Sequence, residues 1–162
     1  MYINDEIGSV HSYSAFVGFV PQEDVMLREL TVYDNLAFYA ALRLPAGTQS
    51  AESSRVVRGT IKVLGLTHVQ TSPIGDEKTR GISGGQRKRV NVGIELVSRP
   101  SLLFLDEPTS GLDSTTSFEL VDALQVMGGR GCTSILVLHQ PSYALYCLFD
   151  EVLLLAKGGM TV

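Results

Sequence analysis

Four short groups of residues carry the chemistry of this sequence. The apolar run Leu102-Leu-Phe-Leu105 ends in two adjacent acids, Asp106 and Glu107. If the run is a strand of an open α/β sheet, both carboxylates emerge at the edge where such sheets bind ligands. One carboxylate there can hold Mg²⁺, which neutralises phosphate oxygens, and the next can polarise an attacking water. Upstream, Ser83-Gly84-Gly85-Gln86 opens a helical pattern. Missing Cβ atoms let backbone N–H groups approach an anion, a helix N-terminus is partly positive, and the serine hydroxyl adds a donor. Gln22 follows the strand-like run Ser14–Val20 and Pro21, and His139 follows the apolar stretch 132–138. Taken singly, each has a plain structural alternative: an acidic cap, a serine cap, a polar turn residue, a satisfied histidine. Together, the glycine turn opening a helix and the strand ending in two acids have the layout of a nucleotide-hydrolysing site.

The pattern of elements that would position these groups is alternating strand and helix. Strands are expected at 14–20, 101–105, 132–138 and 152–156, with one more beyond Gly159. Helices are expected from a Thr31 cap to about Leu44, over 51–64, from Ser83 to about Val97, over 114–127 and over 142–148. Residues 71–81 read as loop. In the helices Val32, Leu36, Phe38, Tyr39 and Leu42, then Val56, Val57, Ile61 and Leu64, then Val90, Ile94 and Val97, then Leu120, Leu124 and Met127, form the apolar faces. Arg55, Arg58 and Lys62 form a solvated face, and for Arg87-Lys-Arg89 a solvated basic face is the plain structural alternative. Near-continuous apolar strands between helices imply a parallel sheet covered on both faces. The helices between residues 31 and 98 interrupt that alternation as an insertion.

The 162 residues fit one domain with a real core. With 44% hydrophobic and 19% charged residues, the chain is too apolar for disorder. A formal net charge of −4 argues against a nucleic-acid-coating surface. No apolar run approaches the ~20 residues of a membrane span, and residues 1–6 lack a signal-peptide pattern. A membrane role would therefore come from segments outside these residues. Cys132 and Cys147 have no metal-type spacing and read as buried thiols in a reducing compartment.

Gly81-Ile-Ser-Gly-Gly-Gln-Arg-Lys-Arg-Val90 resembles the signature motif of ABC transporters. Leu102–Glu107 resembles their Walker B motif, Ser110-Gly-Leu-Asp113 the D-loop, Pro21-Gln22 the Q-loop and Leu138-His-Gln-Pro141 the H-loop. Val20–Asp24, Leu30–Leu36, Arg80–Val90, His139–Ser142 and Leu154–Gly159 are similar to the G subfamily, the white/pleiotropic-drug-resistance type. The resemblance runs from Phe16 to Val162. It implies a P-loop NTPase (RecA-like) parallel-sheet core with a helical subdomain insertion, incomplete at the N-terminus. Residues 1–23 would be the core strand and Q-loop, 24–98 the helical subdomain with the signature, and 99–162 the core with Walker B, D-loop and H-loop.

The same resemblance implies roles. Asp106 and Gln22 hold Mg²⁺, Glu107 is the general base, and His139 contacts the γ-phosphate of ATP. Ser83, Gly84, Gly85 and Gln86 belong to a nucleotide site, with the first three reaching the γ-phosphate bound to a partner domain. Asp113 communicates across that dimer. Partners would be a second nucleotide-binding domain, identical or different, and a transmembrane domain contacted near the Q-loop, with no nucleic acid. The location would be the cytoplasmic face of a membrane. The subfamily exports lipids and other hydrophobic compounds. No G-x-x-x-x-G-K-[ST] phosphate loop occurs in the 162 residues, and the 21 residues before Gln22 contain no lysine. A truncated segment lacking Walker A, inactive alone, is the expectation. Two alternatives are a soluble ABC ATPase of translation or DNA repair and a non-catalytic remnant that only dimerises.

Overall fold

A computed structural model describes residues 2–3, 6–7, 13, 16–76 and 81–156 of the chain. Two two-residue strands, β1 (Tyr2–Ile3) and β2 (Glu6–Ile7), pair antiparallel. Among the described residues the main sheet holds three parallel strands in the order β3 (Val17–Val20), β4 (Leu102–Asp106) and β5 (Thr133–Val137). Val20 sits beside Leu105, and Asp106 sits beside Val137. The parallel register brings all three C-terminal ends to one edge. Asp106 closes β4 there, and Gln22, Glu107 and His139 follow the three strands.

Between β3 and β4 run α1 (Val32–Arg43), α2 (Ser50–Val63) and α3 (Gly84–Leu96). Their starts are legible chemistry. Thr31 accepts from the Asp34 N–H, and Ser83 and Gln86 form a reciprocal capping box. After β4 comes α4 (Ser114–Gly128), capped by Asp113, and after β5 the short α5 (Tyr143–Tyr146), capped by Ser142. The core joins both halves: Val20, Leu103 and Leu105 of the sheet, Leu36, Ile61, Ile94 and Leu120 of the helices. Among the described residues, no helix is long and apolar enough to cross a membrane.

Several expectations change. Phe38 and Leu42 of α1 are exposed, and Asn35 and Ala40 take the inward positions. Residues 152–156 are not a strand: Val152, Leu153, Leu154 and Leu155 are all exposed, with a single isolated bridge at Leu155. The reason is a missing ladder. Among the described residues β5 pairs only with β4, so its outer edge carries no neighbour beside which 152–156 could register. Strand propensity without a partner strand does not make a strand. Cys132 is buried, and burial pushes its thiol above the usual range, but Cys147 is exposed. Ser14, Ala15 and the expected strand beyond Gly159 lie outside the described residues.

Candidate functional site

Glu107 is the hub of the sheet edge. Its backbone is left-handed, with φ 45°, which a non-glycine residue adopts at a cost of about 1–2 kcal/mol. The turn is held because the Glu107 N–H donates to the Val137 carbonyl at 3.1 Å, extending the β4–β5 ladder by one bond. Gln22 Nε2 donates to one carboxylate oxygen of Glu107 at 3.0 Å, and His139 Nε2 lies 2.9 Å from the other. Gln140, next to His139, is a second left-handed non-glycine residue, with φ 47°. Gln22 and His139, which follow β3 and β5, thus meet on the carboxylate of Glu107, which follows β4, and both Glu107 and Gln140 are strained. Asp106 ends β4 at the same edge, half-buried.

Asp106 and the side-chain oxygen of Gln22 are hard donors. That chemistry fits Mg²⁺, which takes one or two protein ligands and completes its shell with water and substrate phosphates. Among the described residues there is no cluster of three or more His, Cys, Asp or Glu able to cage a metal unaided. The donor set therefore suits a metal brought with a nucleotide.

The two glycines of the Ser-Gly-Gly turn differ. A Cβ on Gly85 would lie 2.3 Å from Thr116 Cγ2 in the first turn of α4, so the fold itself requires glycine there. A Cβ on Gly84 would meet nothing nearer than Arg87 Nη2 at 3.9 Å. Packing gives no reason for glycine at 84, whereas close approach of an anion to the helix N-terminus does. Ser83 and Gly84 are exposed, as that requires. The Ser83 hydroxyl accepts from the Gln86 N–H, and Gln86 returns a bond to the Ser83 N–H. Gln86 also lies 3.1 Å from His68 Nε2. Asp113 is committed to α4: its carboxylate accepts from the Thr116 N–H at 2.9 Å and hydroxyl at 2.8 Å, and those bonds hold its pKa below the usual value.

An open groove of about 420 Å³ separates these parts, lined by Gln22 to Asp24, Arg28, Gly84, Arg87, Lys88 and Ser110 to Leu112. A larger hollow, about 510 Å³, lies between α1 and α2 and touches none of the candidate residues. The smaller one borders Gln22 and Gly84.

The basic run after the signature is not a solvated face. Lys88 is buried, and its ammonium donates to the Gln22 carbonyl. Arg89 pairs with Glu119 of α4. Further along α3, Asn91 donates to the Pro21 and Glu23 carbonyls and accepts from the Val25 N–H, each at 3.3 Å. Glu95 accepts from the Phe19 N–H and pairs with Arg43. Lys88, Asn91 and Glu95 form a buried polar stripe at i, i+3, i+7. Their partners lie 52–76 residues away in sequence. The helical spacing of these polar residues beside Val90 and Ile94 was the available signal.

Comparison with known proteins decides the family. Residues 3–110 match the ABC transporter family model. The chain belongs to the ABC transporter family. Residues 139–162 also match a second model, the ABC-2 type transporter. ABC transporter G family member 28 of Arabidopsis thaliana is 52% identical over 158 residues, covering 98% of this chain and 14% of that protein. The broad substrate specificity ATP-binding cassette transporter ABCG2 of Rattus norvegicus is 49% identical over 143 residues, covering 88% and 22%. ABC transporter G family member STR of Petunia hybrida is 43% identical over 142 residues, covering 88% and 17%. This ABC segment is of the G subfamily, with the P-loop NTPase fold class, and spans 14% to 22% of the length of these relatives.

Proposed function

We propose that this segment is part of the ATP-hydrolysing motor of a G-type exporter for lipids or other hydrophobic compounds, acting at the cytoplasmic face of a membrane. Residues 1–23 and 99–162 belong to its core and 24–98 to its helical subdomain. The observation that supports this best is the convergence of Gln22 and His139 on the Glu107 carboxylate. Glu107 accepts a proton from the attacking water. Gln22, whose amide already reaches that carboxylate, orients the water. His139, at the same edge, donates to the γ-phosphate as charge develops there. Asp106 and Gln22 hold Mg²⁺, which when bound neutralises phosphate charge. Ser83, Gly84 and Gly85 present donors to the γ-phosphate of ATP held by a second nucleotide-binding domain, with Gln86 bracing the turn. Asp113, at the start of α4, faces that dimer partner. The Q-loop meets the transmembrane domain.

The 162 residues alone should be inactive. They contain no phosphate loop, and losing two charge-assisted hydrogen bonds of about 1.5–3 kcal/mol each weakens binding roughly 10²–10⁴-fold. Ile135 and Val137 of β5, with Val152 to Leu155, leave apolar surface exposed, which favours aggregation. Calorimetry and phosphate release on the isolated chain test this, with no MgATP binding tighter than millimolar and no turnover expected. Micromolar binding by a folded monomer would show that the phosphate loop contributes less. For the function itself, the complete protein in lipid vesicles should hydrolyse MgATP and move a hydrophobic cargo. Hydrolysis with no vectorial transport would favour a soluble ABC ATPase.

A further inference from the structure

We infer that Lys88 is a positioning residue for hydrolysis: through the Gln22 carbonyl it sets the Gln22 side chain on Glu107. The inference rests on the reading of Glu107 as general base. Lys88 is 7% exposed, and among the described residues its ammonium makes no ion pair. Burying an unpaired ammonium is costly, and an apolar residue would fill that space with less penalty. What the charge does instead is hold one main-chain oxygen. That oxygen belongs to Gln22, whose side chain makes the 3.0 Å contact with Glu107.

The surrounding bonds leave little freedom. Val20 is fixed in the sheet beside Leu105. Asn91 holds the carbonyls of Pro21 and Glu23, on either side of Gln22. From α1, the Tyr39 hydroxyl donates to the Val25 carbonyl at 2.9 Å, and Asn35 bonds the Leu27 backbone in both directions at 2.9 Å. Within this clamp Lys88 is the group that holds the Gln22 carbonyl. Without the ammonium the peptide between Gln22 and Glu23 can rotate, and the glutamine amide leaves Glu107. A displacement of about 1 Å in a positioning group costs on the order of 10²-fold in rate. Lys88 lies on the helix that the Ser83-Gly84-Gly85 turn opens, so one element carries both the signature and the support of the Q-loop.

The test uses the complete transporter containing this segment. Turnover, KM for ATP and thermal unfolding are measured for Lys88→Met, Lys88→Gln, Gln22→Ala and the two double variants. Each Lys88 variant is expected to lower kcat by about tenfold to a hundredfold, with KM and unfolding temperature close to the parent. In the Gln22→Ala background neither should reduce kcat further, because the group they position is gone. Normal turnover in Lys88→Met would overturn the inference. So would losses that multiply with Gln22→Ala, or losses that track unfolding temperature. If Lys88→Met does not fold, Lys88→Gln carries the cycle, and failure of both to fold makes the role structural and the inference wrong. Glu107→Gln is assayed in parallel. Full hydrolysis there defeats the base assignment itself, whereas an inactive Glu107→Gln beside fully active Lys88 variants defeats the positioning role alone.

Discussion

Gly84 and Gly85 are adjacent in sequence, and substitution should separate them completely. In Gly85→Ala the new Cβ would lie 2.3 Å from Thr116 Cγ2, against an ordinary carbon–carbon contact of about 3.5–4.0 Å. The helices must part by more than an ångström, or Thr116 must rotate and give up its 2.8 Å bond to Asp113. Overpacking of this kind costs about 1–3 kcal/mol, or roughly 2–12 °C in Tm for a domain of this class. The clash rests on one atom: Thr116 Cβ and Oγ1 would be 3.5 and 3.7 Å away, which is ordinary contact. Thr116→Ser removes Cγ2 and keeps the hydroxyl bond to Asp113, so Gly85→Ala/Thr116→Ser should recover most of the lost stability. Gly84→Ala meets open space and should leave Tm unchanged or slightly raised, yet lower ATP turnover, because a Cβ would stand where the anion must approach. Thermal unfolding and ATPase measurements on the complete protein give both readouts. Failure of Thr116→Ser to rescue Gly85→Ala would refute the packing argument, and full turnover in Gly84→Ala would refute the anion-cradle argument.

His139→Ala should lower kcat more than ATP affinity, because a contact made mainly in the transition state is read in turnover; steady-state kinetics with a binding isotherm check it, and normal turnover would leave His139 with a structural role. The Asp113 cap has a signed pH dependence. The Thr116 backbone and hydroxyl bonds hold its pKa below the reference 3.8. The cap's stabilisation is therefore complete above that reference value and is lost as pH falls through the lower folded value. The Tm difference between the parent and Asp113→Ala should be constant from pH 5 to 8 and shrink below about pH 4; a difference that persists at lower pH would contradict the assignment.

The readable parts of this chain were those whose causes are local. Thr31, Ser83, Asp113 and Ser142 each cap the helix they precede, and each helix starts within a residue or two of the expected place. Apolar runs at 17–20, 102–105 and 133–137 became parallel strands because each has a neighbour. The run at 152–156 has the same residue types and did not, since ladder formation depends on what lies alongside. The placement of Asp106, Glu107, Gln22 and His139 at one sheet edge was legible because each closes or follows a strand end that the parallel register aligns. The buried stripe Lys88, Asn91 and Glu95 was not, because a lysine and a glutamate in a helix ordinarily face water. Only the distant backbone groups of Phe19 to Val25 and the Arg43 side chain make their burial tolerable. The dual nature of the glycine pair was likewise hidden, since Thr116 lies 31 residues beyond Gly85 in sequence.

We propose the Glu107 carboxylate as the base for ATP hydrolysis, with Gln22 and His139 arranged about it. The most direct measurement is single-turnover hydrolysis by the complete transporter carrying Glu107→Gln, taken together with its ATP dissociation constant. Removing a general base costs about 10²–10⁴-fold. A loss of that size with nucleotide affinity unchanged is expected, whereas turnover equal to the parent's would show that Glu107 is not the base.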